Sequence, residues 1–227
     1  MDNFIVTIAR GYGSGGKEIG NKIAEAYGIQ CYERRILTLA SQLSGIDESE
    51  FKKIDEKLRA KNWRTVLNKL PMVTSSEAML QKFVSDDLLF EYQAKIIRTL
   101  QETESCVIVG KAADYVLRDC SNVLSVYIEA PRDYTRRRIM EKQCVPPDIA
   151  DNMITRTDRY RADYYEHYTG GNYWTNPVNY DLTINTERVG FEGAVKLVKD
   201  YIKIKYPDFN IDACGRTVDD NKVISMK

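Results

Sequence analysis

Phe4-Ile5-Val6-Thr7-Ile8-Ala9-Arg10-Gly11-Tyr12-Gly13-Ser14-Gly15-Gly16-Lys17-Glu18-Ile19-Gly20 runs from an apolar strand, through a glycine-rich loop, into the start of a helix. Gly11 to Lys17 satisfies the first seven positions of the phosphate-binding pattern G-x-x-x-x-G-K-[ST]. Four glycines between Gly11 and Gly16 let backbone amides turn around an anion without Cβ clashes. The helix that follows adds its dipole and its unpaired N–H groups at the same point. Lys17 then stands where a mobile ammonium reaches the β- and γ-phosphates of a nucleotide. The alternative, a turn that merely joins strand to helix, fits less well with an apolar strand before the loop and a helix starting in the right place after it.

The eighth position departs from the pattern, because Glu18 replaces the Ser or Thr that would hold magnesium. A carboxylate in a first helical turn is favourable on dipole grounds alone. It is also a possible direct magnesium ligand in place of the hydroxyl. Ser14 is either a second oxygen donor or simply a small residue in the turn. The expected ATP phosphate-binding positions are therefore Gly11, Gly13, Ser14, Gly15, Gly16, Lys17 and Glu18, with Glu18 the candidate for Mg2+.

Working outward, strand patterns alternate with helix patterns, which predicts a parallel α/β sheet. Strands are expected at Phe4–Ile8, Ile29–Tyr32, Cys106–Gly110, Val123–Ile128 and Asp181–Ile184. Helices are expected from Lys17 to Tyr27, Arg34 to Leu43, Asp86 to Gln101, Pro131 to Lys142, Pro147 to His167 and Phe191 to Lys205. Residues Asp47 to about Met79 are charged, weakly periodic and interrupted at Pro71, and read as a helical insertion above the sheet. The segment after Pro207 is polar.

At 227 residues and 43% hydrophobic, the chain suits one core with a small inserted subdomain. Lys+Arg 33 against Asp+Glu 33 leaves no net charge, so nothing global points to nucleic acid or an anionic membrane. No apolar run approaches the roughly 20 residues of a membrane span, and Met1-Asp2-Asn3 does not open a secretory signal. The five cysteines are scattered without a C-x-x-C, and the single histidine, His167, has no cysteine nearby. Neither a zinc site nor a disulfide framework is expected, and a cytoplasmic location is.

A second constellation follows the fourth strand. Arg156-Thr157-Asp158-Arg159-Tyr160-Arg161-Ala162-Asp163-Tyr164-Tyr165 is dense in guanidinium groups, preceded by Arg132 and Arg136 to Arg138. A solvated, ion-paired helix face is one reading. A phosphate clamp is the other, since guanidinium presents a rigid fork of donors to phosphate oxygens. Phosphoryl transfer needs charge stabilisation more than it needs a base. Arg132 and Arg136 to Arg138 fall on different faces of one helix, so only some can point at a common site.

The loop, Gly110-Lys111, Asp158-Arg159-Tyr160-Arg161-Ala162 and Tyr180-Asp181-Leu182-Thr183-Ile184-Asn185-Thr186 occur in the order seen in bacterial cytidylate kinases. Ser14-Gly15-Gly16-Lys17-Glu18-Ile19-Gly20 resembles the loop of the cytidylate kinase-like family, and the resemblance covers about residues 4 to 205. It implies a P-loop NTPase three-layer α/β/α sandwich with a five-stranded parallel sheet. The implied domain spans residues 1–206, with a nucleoside monophosphate-binding insertion at about 46–84, a lid at about 146–176 and a tail from 207. It further implies that Asp158 and Arg161 contact the acceptor nucleotide and that Arg159 helps neutralise the transferred phosphoryl group. The family's Gly-Arg-Asp after the central strand reads Gly110-Lys111-Ala112 here, leaving Lys111 as a point charge and Asp114 as a stand-in carboxylate. Its Ser-Gly after the second strand is replaced by Glu33-Arg34-Arg35.

The expectation is an ATP- and Mg2+-dependent kinase acting on a nucleoside monophosphate, CMP or dCMP. Lys17, Arg159 and Arg161 are the catalytic candidates, and Lys111, Asp114, Asp158 and Arg161 the acceptor-binding ones. A nucleotide-binding regulator with little or no kinase activity, and a P-loop kinase for a non-nucleotide small molecule, are the alternatives. The expected partners are small-molecule nucleotides, with neither nucleic acid nor membrane, and the sequence says nothing of oligomeric state.

Overall fold

The computed structural model describes residues 3–44, 49 and 77–207, with the backbone alone for 77–88. In chain order the elements are β1 (Ile5–Arg10), α1 (Gly16–Tyr27), β2 (Gln30–Tyr32), α2 (Arg35–Ser44), α3 (Glu77–Thr103) and β3 (Cys106–Val109). They continue with α4 (Ala113–Val116), β4 (Val123–Glu129), α5 (Arg132–Gln143), α6 (Pro147–Tyr168), β5 (Leu182–Asn185) and α7 (Thr186–Lys205). Most of the expected insertion, and the tail from residue 208, lie outside the described residues.

The strands form one sheet in the order β2-β3-β1-β4-β5, every neighbouring pair parallel. β1 sits at its centre, with Thr7 opposite Ile108 on one side and Ser125 on the other. Both faces of this strand must be dry, which is why it reads as a near-continuous apolar run. Val6 and Ile8 pack with Ile19 and Ile23 of α1 and Val198 and Ile202 of α7. Ile5 packs on the opposite face with Ile36 and Leu39 of α2 and Ile97 and Leu100 of α3. The result is the parallel α/β sheet that the strand and helix patterns predict, in the three-layer α/β/α sandwich that the family resemblance implies.

Three local differences matter for the site. β1 runs two residues past Ile8, because Ala9 and Arg10 pair with Tyr127 and Ile128 of β4. This carries Arg10 to the carboxyl edge of the sheet. α7 begins at Thr186 rather than Phe191, since the Asn185 side chain accepts hydrogen bonds from the N–H groups of Glu187 and Arg188. Gly190, at φ 67° and ψ 176°, then breaks the helix, so regular periodicity starts only beyond it. After β3 the chain takes three consecutive left-handed residues, Gly110 (φ 78°), Lys111 (φ 62°) and Ala112 (φ 50°), before the short α4. Two of these are not glycine, and each left-handed position with a Cβ costs about 1–2 kcal/mol.

Candidate active site

The glycine loop hangs between β1 and α1 at the carboxyl edge of the sheet. Its shape is held by bonds that leave little slack. The Gly11 N–H donates to the Ile128 carbonyl at 3.0 Å. The buried Ser14 hydroxyl lies 2.8 Å from the Gly11 carbonyl and 3.0 Å from that of Ile128. Thr186 donates its hydroxyl to the Ser14 carbonyl at 2.8 Å. The Ser14 side chain is therefore committed to the loop's own carbonyls rather than offered to a metal.

Side chains are excluded from the cradle by what surrounds it. A Cβ on Gly11 would lie 2.3 Å from Oε1 of Glu129, and one on Gly15 2.5 Å from the Phe191 ring. Gly13 and Gly15 adopt φ 87° and 94°. Gly15 occupies the N-cap of α1 and has no side chain to cap it. The first-turn N–H groups thus have no side-chain partner at the cap, which is the arrangement that receives a phosphate. Loop shape, missing Cβ atoms and the adjacent ammonium of Lys17 fit a nucleotide polyphosphate.

Glu18 borders the same cradle and is held by two cations. Lys142 donates to its Oε1 at 2.6 Å, and Arg138 stands 3.6 Å from the same oxygen. Arg138 also donates to the Gly13 carbonyl at 2.7 Å and lies over the Phe191 ring. Burial works to raise the Glu18 carboxyl, yet the Lys142 hydrogen bond and both cations outweigh it and hold it below its ordinary value. Glu18 is the anion that ties α5 to the loop. Among the described residues no three His, Cys, Asp or Glu side chains cluster as a metal site.

Two connected spaces open at the loop. The smaller, about 170 Å³, lies over Gly13, Gly15 and Gly16 and reaches Glu18, Arg138 and Lys142. The larger, about 690 Å³, is walled by Arg34, Lys111, Asp114, Tyr160, Tyr164 and Trp174, among others. Arg10, Tyr12, Lys17, Glu33, Gln143 and Arg161 line both, and so mark the junction. Among the described residues, Arg10, Lys17, Arg34, Lys111 and Arg161 face only Glu33 and Asp114 in the larger space, so this lining favours an anionic occupant.

The sequence candidates separate here. Asp158 accepts from the Tyr12 N–H at 2.8 Å and pairs with Arg161 at 3.3 Å, while Arg161 donates to the Arg10 carbonyl at 2.9 Å. Burial raises the Asp158 carboxyl above its ordinary value, against the pull of Arg161. Asp114 is buried at the cleft wall, where Tyr165 donates to it at 2.7 Å. Its burial pushes the carboxyl up to about 6. Lys17, Lys111, Asp114 and Arg161 thus share the larger space, while Asp158 lines neither space and sits behind them on Tyr12 and Arg161. Arg159 is exposed and also lines neither space, because the helical turn that aims Thr157, Tyr160, Arg161 and Tyr164 inward turns it outward. Of the α5 arginines only Arg138 reaches the loop, since Arg132 and Arg136 pair with Asp151 and Arg137 with Glu187.

Several site residues escaped the sequence reading. Glu33 binds Lys17 at 2.7 Å and Arg10 at 3.2 Å. Glu129 borders Gly11 and accepts from the Tyr127 hydroxyl at 2.5 Å. Lys142 holds Glu18. The missed signal was position: Arg10 and Glu129 each end a strand at the sheet's carboxyl edge and Glu33 directly follows one, where α/β sheets bind ligands.

The sequence model of the cytidylate kinase-like family matches residues 5–188. A cytidylate kinase from Thermococcus sibiricus (strain DSM 12597 / MM 739) is 27% identical over 113 residues, 49% of this chain and 57% of that protein. The matched region thus spans little more than half the length of that relative. The crystal structure of an uncharacterized protein from Eubacterium ventriosum ATCC 27560 superposes with a TM-score of 0.64 at 25% identity, covering 88% of this chain and 99% of that one. Among the described residues, no helix is long and apolar enough to cross a membrane.

Proposed function

The chain belongs to the cytidylate kinase-like family, and from that premise we propose that it transfers the γ-phosphoryl group of ATP to a nucleoside monophosphate, CMP or dCMP. The single observation that carries this reading is the junction. A glycine cradle shaped for a polyphosphate opens through Lys17 into a larger, positively charged cleft of about 690 Å³. The cradle takes the donor phosphates, and Lys17 neutralises charge at their outer end. Lys111 and Arg161 face an acceptor phosphate, and the buried Asp114 and Tyr160 border the space left for its nucleoside. Because the attacking phosphate oxygen is already anionic, no general base is needed. Magnesium, when bound, would neutralise charge on the donor phosphates. Lid movement of α6 that excludes water, a competing acceptor, belongs to the same proposal.

The test is a screen of nucleoside monophosphates for ADP formation from Mg-ATP, run beside Lys17→Ala. CMP or dCMP is expected to support turnover. No monophosphate exceeding the Lys17→Ala background would sink the kinase reading. A nucleotide-binding regulator is the second reading, favoured by the carboxylate of Glu33 resting on Lys17 at 2.7 Å. Calorimetric binding of Mg-ATP without turnover on any monophosphate would favour it over the first.

A further inference from the structure

Where the two spaces meet, two cations already hold an anion. Lys17 Nζ lies 2.7 Å from Oε2 of Glu33, and Arg10 donates from Nη2 to Oε1 at 3.2 Å. A carboxylate with one oxygen on each cation reproduces two oxygens of a phosphoryl group. The glycine-loop pattern contains neither Arg10 nor Glu33.

Arg10 is built into its place. Its side chain is mostly buried, at 17% exposure. It fills the spaces where Gly16 and Gly110 have no Cβ: a carbon on Gly16 would fall 2.5 Å from Arg10 Cβ, and one on Gly110 2.2 Å from Nη1. Lys17 is half exposed, so its ammonium is the movable member of the pair. We propose that Arg10 and Lys17 form a two-cation seat for the terminal phosphoryl group of a bound nucleotide, and that Glu33 fills this seat as an internal anion until the nucleotide displaces it. The inference rests on the reading of Gly11–Lys17 as the phosphate loop. It goes further by giving Arg10 a binding role and Glu33 a competing one.

Chemistry at the seat agrees with this. Burial acts to raise the Glu33 carboxyl, but the Lys17 hydrogen bond and the charge on Arg10 prevail and hold it below its ordinary value. Glu33 therefore stays anionic at neutral pH and competes with a phosphate on equal terms of charge type. Glu33 directly follows β2, ahead of α2, so its displacement requires a side-chain rotation and no change in the sheet.

The experiment measures binding alone. Calorimetry with tripolyphosphate and with ATP, in the absence of any acceptor, compares the full chain with Glu33→Gln and with Glu33→Gln/Arg10→Gln. Glu33→Gln is expected to bind tripolyphosphate about two- to fivefold tighter, the worth of a half-exposed ion pair. Adding Arg10→Gln is expected to abolish the gain. Should that double variant melt, Arg10→Met replaces Arg10→Gln, keeping an aliphatic stem without the charge. Unchanged or weaker binding by Glu33→Gln overturns the internal-anion role and makes Glu33 a support for Lys17. A gain that survives the loss of Arg10 overturns the two-cation seat. No tripolyphosphate binding by any variant overturns the loop reading itself. A chain that binds as expected yet phosphorylates no monophosphate contradicts the kinase proposal alone.

Discussion

The backbone N–H of Tyr12 donates to Oδ1 of Asp158 at 2.8 Å, so the glycine loop is fastened to α6 across 146 residues of sequence. Asp158 acts here as a brace for the loop. Asp158→Ala leaves the Tyr12 N–H without its acceptor and Arg161 without its partner carboxylate. A loss of about 1–2 kcal/mol in stability is expected, together with weaker ATP binding. Chemical denaturation and calorimetry check both; wild-type stability in Asp158→Ala would show that the bond carries no weight.

Lys17 is half exposed and forms an ion pair with Glu33. Lys17→Ala should therefore leave the fold intact. Turnover should fall by roughly 10²–10³, the scale seen when one charge-stabilising donor is removed from a transferring group. A coupled ADP assay beside a thermal melt separates the two effects.

Two left-handed glycines give a matched comparison. At Gly28 (φ 63°) a Cβ meets nothing within 4 Å, whereas at Gly15 (φ 94°) it falls 2.5 Å from the Phe191 ring. Gly28→Ala should cost about 1 kcal/mol, from backbone strain alone. Gly15→Ala should cost more in stability and also weaken nucleotide binding. Equal losses in the two variants would mean that Phe191 yields freely.

Asp114 makes stability depend on pH in an unusual direction. Its carboxyl is pushed up to about 6 in the folded chain, against about 3.9 unfolded. The stability it contributes is fully present below pH 4 and is lost as pH rises through about 6, because the folded state holds the proton longer. At 8% exposure no large solvent screening applies, and the difference amounts to about 2–3 kcal/mol. Asp114→Asn removes this fall. Its stability relative to the parent chain should rise between pH 4 and 7, and a flat difference across denaturation curves in that window would refute the shift.

Glu18 separates an ion-pair role from a metal role. With Lys142 at 2.6 Å and Arg138 at 3.6 Å, Glu18→Gln should loosen α5 from the loop while leaving the Mg2+ concentration for half-maximal turnover unchanged. A several-fold rise in that concentration would make Glu18 a ligand after all.

The parts legible in the sequence were those written in local spacing. Gly11–Lys17 could be read because a phosphate cradle is made of backbone, and glycine spacing records backbone directly. The β1 and β3 runs were readable because central parallel strands must be apolar on both faces. Arg10 meets Glu33, and Asp158 meets Tyr12, through sheet order and helix packing, which no window of neighbouring residues encodes. Arg159 shows the same limit from the other side. The run Asp158–Ala162 names the right turn of helix, but 100° per residue decides which of its arginines enters the cleft, and only the packing of α6 fixes that phase. Gly110–Ala112 was unreadable for a different reason: two of its three left-handed residues are Lys and Ala, which seldom adopt that conformation.

The bonds that close the glycine loop bear on how this protein is made. Gly11 waits for the Ile128 carbonyl, Ser14 for the Thr186 hydroxyl and Tyr12 for Asp158. On a ribosome the loop emerges long before its last fastening, Thr186, which follows Ser14 by 172 residues. Before Cys106–Val109 and Val123–Glu129 are made, β1 also lacks β3 and β4, its neighbours on both sides. Such long-range closure is slow and leaves apolar edges open to chaperones. A nascent chain stalled before Thr186 carries the whole phosphate-binding signature and still has no finished cradle, so nucleotide cannot steady it until Thr186 has been added.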